Sequence, residues 1–237
     1  KTGFKVLNKT QKAFKPQAID KQRLPNQVNK NLFDLSLTEE QQMTVDAMSQ
    51  FAEEVLYALA HDADHNAHFP EQLWQHLVDL GLNYYALPEA LGGVAAEQNI
   101  VSNILIAESL AKGDFSLTAG LLSTFSVINA ITRWGSTQVQ SMYLPVFAED
   151  TDVTATFAFQ EATPAFNPYQ LKTKATEQNG QMTITGEKTL VILGDTADVF
   201  LVSAEFNGQP DIFVVQSNET IAIKANPAMG LKATETA

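Results

Sequence analysis

The spacing of apolar residues changes from a helical to a strand-like period near residue 152, and this change constrains the fold more than any other feature. Before it, apolar residues recur every fourth position from Met43 to Leu59, and glycine and proline separate further helical segments. After it, short runs rich in β-formers alternate apolar and polar residues, and Asn179-Gly180 is a strong hairpin signal. We therefore expect an α+β chain, with an all-α domain at 34–150 followed by an antiparallel β-domain at 151–237.

Local signals predict the individual elements. Thr38 and Gln41 have the spacing of a capping box and predict the start of the first helix. Helices are expected at about 38–59, 70–80, 97–111, 116–134 and 136–148, and strands at 154–160, 172–177, 181–185, 189–193, 199–204, 211–216 and 220–225. Because strand-like sequence runs to the last residue, the β-domain is expected to be incomplete.

Charge is distributed unevenly along the chain, whose net charge is −12. Residues 1–30 carry +7 and the remainder carries −19. An acidic body argues against nucleic acid as a partner, since phosphate neutralisation needs a basic face. Residues 1–33 have no clean period and are interpreted as a basic extended arm. The preferred interpretation places this arm over the protein's own acidic surface or leaves it mobile, and a peripheral contact with an anionic membrane surface is the alternative.

Two further features bear on metals and on location. His61 and His65 are four residues apart and would share a helix face, as metal ligands can. An exposed polar helix end is the preferred interpretation, and no metal is predicted. The chain has no cysteine, which excludes disulfides and thiolate chemistry among these residues, and a cytoplasmic location is expected.

Several short sequence motifs, in order along residues 37–237, resemble motifs of the acyl-CoA dehydrogenase family. The series is Leu80-Gly81-Leu82 with 87–93 (LPEALGG), 134–138 (WGSTQ), 143–145 (YLP), 185–188 (TGEK) with Gly194 and Ala197-Asp198, and 229–234 (MGLKAT). Each motif alone is weak evidence for this family, whereas the whole series in this order is specific to it. The basic arm and the last word look most like the very-long-chain branch.

The resemblance implies an FAD site built from two sequence motifs, called here the flavin words. Both of them depart from the family pattern. The first, at 157–167, keeps Glu161 but has Gln160 for a threonine that bonds the flavin, Ala165 for a glycine, and Phe166 for a serine that meets flavin phosphate and substrate. The second has Leu190 for a tryptophan and Ile192 for a hydroxyl residue. The expected cofactor-binding residues are Phe157, Phe159, Gln160, Ala165, Phe166, Leu190, Val191 and Ile192, with Phe166 also expected at the substrate.

The resemblance implies oxidation of a fatty acyl-CoA thioester to the 2-enoyl-CoA with FAD, by a homo-oligomer and with an electron acceptor that the sequence does not identify. No residue up to Ala237 corresponds to the family's catalytic glutamate, so the base is expected beyond residue 237. Glu161 is expected to accept backbone hydrogen bonds rather than to act as that base. The altered flavin words leave open the alternative of a non-catalytic binding or scaffold protein on the same fold.

Overall fold

The computed structural model describes residues 36–94, 100–149, 153–226 and 229–237. The residues from Glu39 to Ala237 form one compact unit, which contains the helices and strands of the described residues. The predicted arm at 1–33 lies outside the described residues.

Helices occupy the first part of this unit. They lie at Glu39–Phe51 (α1), Tyr57–Asn66 (α2), Gln72–Leu80 (α3), Ile100–Ala111 (α4), Phe115–Trp134 (α5) and Thr137–Glu149 (α6). A π-helical turn at Ala52–Leu56 joins α1 directly to α2, and short 3-10 turns lie at Leu82–Tyr85, Glu89–Leu91 and Lys232–Thr234. The predicted helical domain is confirmed, with helix ends shifted by a few residues and with the predicted 97–99 outside the described part.

The buried face of the first helix differs from the predicted one. Met43 is 73% exposed, whereas Met48, Ala52 and Leu56 are fully buried. Residues four apart advance about 40° around an α-helix at each step, so a strict four-residue repeat drifts off one face. The π-helical turn, with its wider i→i+5 spacing, shifts the phase again.

Helix α5 is the central helix of the core. Asp114 caps its N-terminus, because the carboxylate accepts a hydrogen bond from the Leu117 N–H at 2.7 Å. Among the described helices it alone is long and apolar enough to cross a membrane, yet 61% of its most apolar window is buried inside the protein. Its apolar length is therefore accounted for by packing.

The strands form one mixed sheet. They are Ala155–Ala158 (β1), Lys174–Gln178 (β2), Gln181–Thr185 (β3), Val199–Phe206 (β4) and Gln209–Gln216 (β5). The hairpins β2–β3 and β4–β5 are antiparallel, but β1 and β2 both pair with β4 in the parallel sense. The prediction of an antiparallel domain is therefore wrong for β1 and for the β2–β4 contact, since two-residue turns signal only the antiparallel neighbours.

Two predicted strands are absent from the described residues. Residues 189–193 form turns in which Leu190 and Leu193 have positive φ of 55° and 50°, and 220–225 has no regular structure. The apolar pattern of 189–193 has another cause, because Val191 and Leu193 are only 6% and 4% exposed and point into the core. A short apolar run satisfies burial equally well as a strand or as a turn.

Helices and sheet share their main hydrophobic cluster, in which Ala155, Leu193 and Leu201 pack with residues of α1 and α5. Two hydroxyls of α5 add a polar link to the first strand. Ser123 Oγ donates to the Ala155 carbonyl at 2.9 Å, and Thr124 Oγ1 accepts from the Ala155 N–H at 2.9 Å. These bonds fix where β1 starts, and hence where its end presents the candidate site.

Candidate cofactor site

The two segments that resemble flavin words lie side by side. The Thr189 N–H donates to the Gln160 carbonyl at 2.9 Å, and Thr156 Oγ1 donates to the Ile192 carbonyl at 2.7 Å. Residues 156–160 and 189–192, separated by about thirty positions in the chain, thus run next to each other in opposite directions. The structure brings these predicted site residues together without the help of a regular strand at 189–193.

Aromatic side chains cover one face at the end of β1. The rings of Phe157 and Phe159 have centroids 4.9 Å apart with their planes at 49°. They share a face because alternate strand residues point the same way, while Thr156 and Ala158 are buried on the other side. Phe157 packs against the main core, and Phe159 is 36% exposed. The result is a partly exposed aromatic surface beside the exposed side chain of Gln160.

The three residues Leu190, Val191 and Ile192 take three different environments. Leu190 is 46% exposed, Val191 is buried in a second small cluster with Phe200, and Ile192 is half-buried against the main core. Of the three side chains, that of Leu190 is the most accessible to a ligand. The Ile192 side chain stands where the family pattern has a hydroxyl, and it packs with apolar neighbours.

The loop that follows β1 contains the other two predicted residues. Ala165 has a positive φ of 52°, a conformation that glycine adopts without steric cost and alanine does not. The glycine of the family pattern is therefore what this backbone favours. Phe166 is half-buried, so its side chain is partly shielded from solvent.

Glu161, at the start of this loop, is hydrogen-bonded to the residues at the end of the loop. Its carboxylate is 4% exposed and accepts hydrogen bonds from the N–H groups of Lys172 and Thr173, at 2.8 and 2.9 Å. The expected structural role is thus what the geometry shows. Burial acts to raise the pKa of Glu161, but the N–H groups of Thr173 and Lys172 and the nearby Lys188 outweigh it and hold that pKa at about 2.

Lys188 is a buried partner of Glu161 that the flavin words do not include. Its ammonium lies 3.0 Å from the Glu161 carboxylate, and the lysine side chain is 8% exposed. It also donates to Ser203 Oγ at 2.9 Å and to the Phe159 carbonyl at 3.2 Å. Burial lowers the pKa of Lys188, against the effect of the carboxylate. A lysine in the word TGEK, three residues after a strand, was the only available signal.

This arrangement is partly suited to bind a flat apolar ring that has a polar edge. The partly exposed Phe159 ring and Leu190 side chain supply apolar surface, and the exposed Gln160 amide makes no hydrogen bond within the described residues, so its donor and acceptor are available. Phe166 and Ile192 fit less well, because each places carbon where the family pattern has a hydroxyl. The residues present therefore fit a flavin through backbone and apolar contacts more than through side-chain hydroxyls.

The predicted histidine pair does form. The His61 and His65 rings stack with centroids 6.4 Å apart on one face of α2. In the described part of the chain, no group of three or more His, Cys, Asp or Glu side chains is placed to hold a metal ion.

The fold is that of the acyl-CoA dehydrogenases. The chain superposes on butyryl-CoA dehydrogenase from Megasphaera elsdenii with a TM-score of 0.76 at 24% identity, covering 86% of this chain and 56% of the other. Residues 38–151 match the family Acyl-CoA dehydrogenase, N-terminal domain. The chain is accordingly similar to the acyl-CoA dehydrogenases in fold and, over residues 38–151, in sequence.

Relatives in sequence carry dehydrogenase names. A cyclohex-1-ene-1-carbonyl-CoA dehydrogenase of Geobacter metallireducens is 30% identical over 71% of this chain and 44% of its own length. A probable short/branched chain specific acyl-CoA dehydrogenase of Dictyostelium discoideum is 28% identical over 85% of this chain and 50% of its own. The predicted proximity to the very-long-chain branch is not supported by these relatives. The chain spans about half the length of the curated relatives it matches.

Proposed function

We propose that these residues form the FAD-binding face of an acyl-CoA dehydrogenase that oxidises an acyl-CoA thioester to its 2-enoyl-CoA. The observation that carries the proposal is the direct pairing of 189–192 with 156–160, which assembles both flavin words at one place. The dehydrogenase relatives support the reaction class. They give no support to the alternative of a non-catalytic scaffold.

In this proposal the chain's own residues bind and orient, and the bound FAD would supply the hydride acceptor. Phe157, Phe159 and Leu190 offer apolar surface to the ring system, and the Gln160 amide offers hydrogen bonds to its edge. By the family pattern, Phe166 would be the residue that meets the phosphate and the thioester. Holding the ring and the thioester in register is the task that such a face performs.

The proposed site has two weak points, Phe166 and Ile192. Replacing each by the residue of the family pattern restores a hydroxyl and, at 166, removes the volume of a phenyl ring. Each hydrogen bond recovered is worth about 0.5–1.5 kcal/mol, so Phe166→Ser with Ile192→Thr is expected to tighten FAD by about tenfold or more. Tyr169→Ser is the matched control, because Tyr169 lies in the same loop but is 79% exposed.

The test is a titration with FAD followed by quenching of flavin fluorescence, together with the visible spectrum of the purified protein. FAD binding by the original protein, tightened in the double variant and unchanged in the control, supports the proposal. A protein that binds no FAD in either form refutes it and leaves the scaffold alternative. Turnover of acyl-CoA is a property proposed for the whole protein, in which the catalytic base is expected outside these residues.

A further inference from the structure

The structure holds a buried ion pair whose every hydrogen-bonding group is used. Glu161 accepts from two backbone N–H groups and from Lys188, and Lys188 donates to three oxygens. Neither side chain is more than a tenth exposed. This pair, called here the Glu161–Lys188 clamp, cannot present its charges to a ligand on the surface.

The clamp connects three parts of the protein that are separate in sequence. Through Glu161 it holds the neck of the loop 162–171 shut, because Lys172 and Thr173 on the far side of the loop donate to the carboxylate. Through Lys188 it reaches the carbonyl of Phe159, the residue directly after β1, and Ser203 in the middle of β4.

The residues beside the clamp are those that would contact the flavin. Gln160 precedes Glu161, and Leu190 lies two residues after Lys188. A hydrogen bond from the Thr189 N–H to the Gln160 carbonyl joins the residue after Lys188 to the residue before Glu161. A change in the clamp would therefore move the two flavin segments relative to each other before it disturbed the hydrophobic core.

We propose that Glu161 and Lys188 are positioning residues of the cofactor site: they fix the loop 162–171 and the segment 188–192 in the arrangement that binds flavin, without touching it. This inference rests on the function proposed above. A role in stability alone explains the pair less well, because a buried ion pair can often be replaced by apolar residues of similar volume without loss of stability. In contrast, the Lys188 ammonium donates to three acceptors in three different segments, and it can do so in only one arrangement of those segments.

The experiment compares four proteins: the original, Lys188→Met, the double variant Glu161→Gln with Lys188→Met, and the control Lys174→Met. The control removes a lysine from an ion pair with Glu205 on the sheet surface, where the lysine side chain is 52% exposed. The double variant is included because a lone Glu161 charge left buried in Lys188→Met is itself destabilising. It keeps the stem length of the lysine and leaves no unpaired charge.

Three quantities are measured on each protein. Cleavage by chymotrypsin after Phe166 and Tyr169, located by mass spectrometry, reports opening of the loop and needs no flavin. Urea unfolding reports global stability, and fluorescence titration reports FAD affinity. For the double variant we expect loop cleavage to rise and FAD affinity to fall by about tenfold or more, since hydrogen bonds to charged groups are lost. The urea midpoint is expected to fall with the loss of the carboxylate, while the variant stays folded in the absence of urea, where cleavage and FAD affinity are measured.

Unchanged cleavage and unchanged FAD affinity in a folded double variant would overturn the proposal. So would equal effects in Lys174→Met, because they would show that any lost lysine pair loosens the loop. If the original protein binds no FAD, the proposed function fails, and the clamp is then judged on loop cleavage alone: an unchanged rate rejects it and a raised rate supports it.

Discussion

The carboxylate of Glu161 is expected to make the stability of the protein depend on acid in a defined range. Its pKa lies at about 2 in the folded protein against an ordinary value of 4.5. At 1.36 kcal/mol for each pKa unit, this difference contributes up to about 3 kcal/mol to the free energy of unfolding. Because the folded pKa is the lower one, the contribution is fully present above pH 4.5 and is lost as the pH falls towards 2.

The double variant Glu161→Gln with Lys188→Met isolates this contribution. Urea unfolding of both proteins at neutral pH and at pH 3 gives the change in unfolding free energy for each, and their difference removes the other carboxylates. Glu205, whose pKa is also lowered by its hydrogen bond with Lys174, titrates in both proteins and cancels. By pH 3 the original protein should have lost about 2 kcal/mol more than the variant.

A direct measurement complements the unfolding data. The carboxyl carbon of Glu161, followed by NMR as acid is added, should titrate with a midpoint far below the ordinary glutamate pKa of 4.5. Equal acid sensitivity of the two proteins, or an ordinary midpoint for Glu161, would refute the reasoning. Either result would mean that burial of the carboxylate outweighs its hydrogen bonds and its lysine.

Three further substitutions test the packing around the site by urea unfolding. Gly113→Ala places a Cβ 2.5 Å from the Ala52 carbonyl of the π-helical turn and should cost about 1–3 kcal/mol; Gly230→Ala, which meets open space, is the control, and equal effects would contradict the packing argument. Asp114→Ala removes the cap of α5 and should cost about 1 kcal/mol, so an unchanged midpoint would show that the cap is dispensable. Ala67→Gly relieves a positive φ of 51° after α2 and should stabilise by up to about 1 kcal/mol, whereas destabilisation would contradict the assigned backbone strain.

Local patterns in the sequence predict those parts of the fold that local chemistry determines. Asn179-Gly180 predicts the β2–β3 hairpin, and both residues have the positive φ that such a turn requires. Gly81 predicts the end of α3 and takes a φ of 66° there. In each case one or two residues satisfy a backbone requirement within a few positions, so a short window of sequence contains the complete signal.

Non-local features are not predictable in this way. The parallel pairing of β1 with β4 joins residues more than forty positions apart and leaves no mark in either strand. The turn at 189–193 has the apolar composition of a strand because its side chains are buried, not because its backbone is extended. Lys188 carries no sign in sequence that its ammonium is buried, since lysine is exposed in most proteins.

The candidate site contains residues that hold the backbone by buried hydrogen bonds and exposed residues that are available to a ligand, and the two groups differ in how they relate to the family pattern. Glu161 and Lys188, which belong to the first group, keep their residue types and are fully hydrogen-bonded. The exposed residues Gln160 and Leu190 differ from the family pattern, as does the half-buried Phe166. Since a frame of buried hydrogen bonds fixes the backbone path independently of the outward side chains, substitutions there alter what the surface binds at little cost to the fold. The strength of flavin binding should therefore respond to Phe166 and Ile192 through contacts and to Glu161 and Lys188 through geometry, and the loop-cleavage measurement separates these two routes because only the second opens the loop.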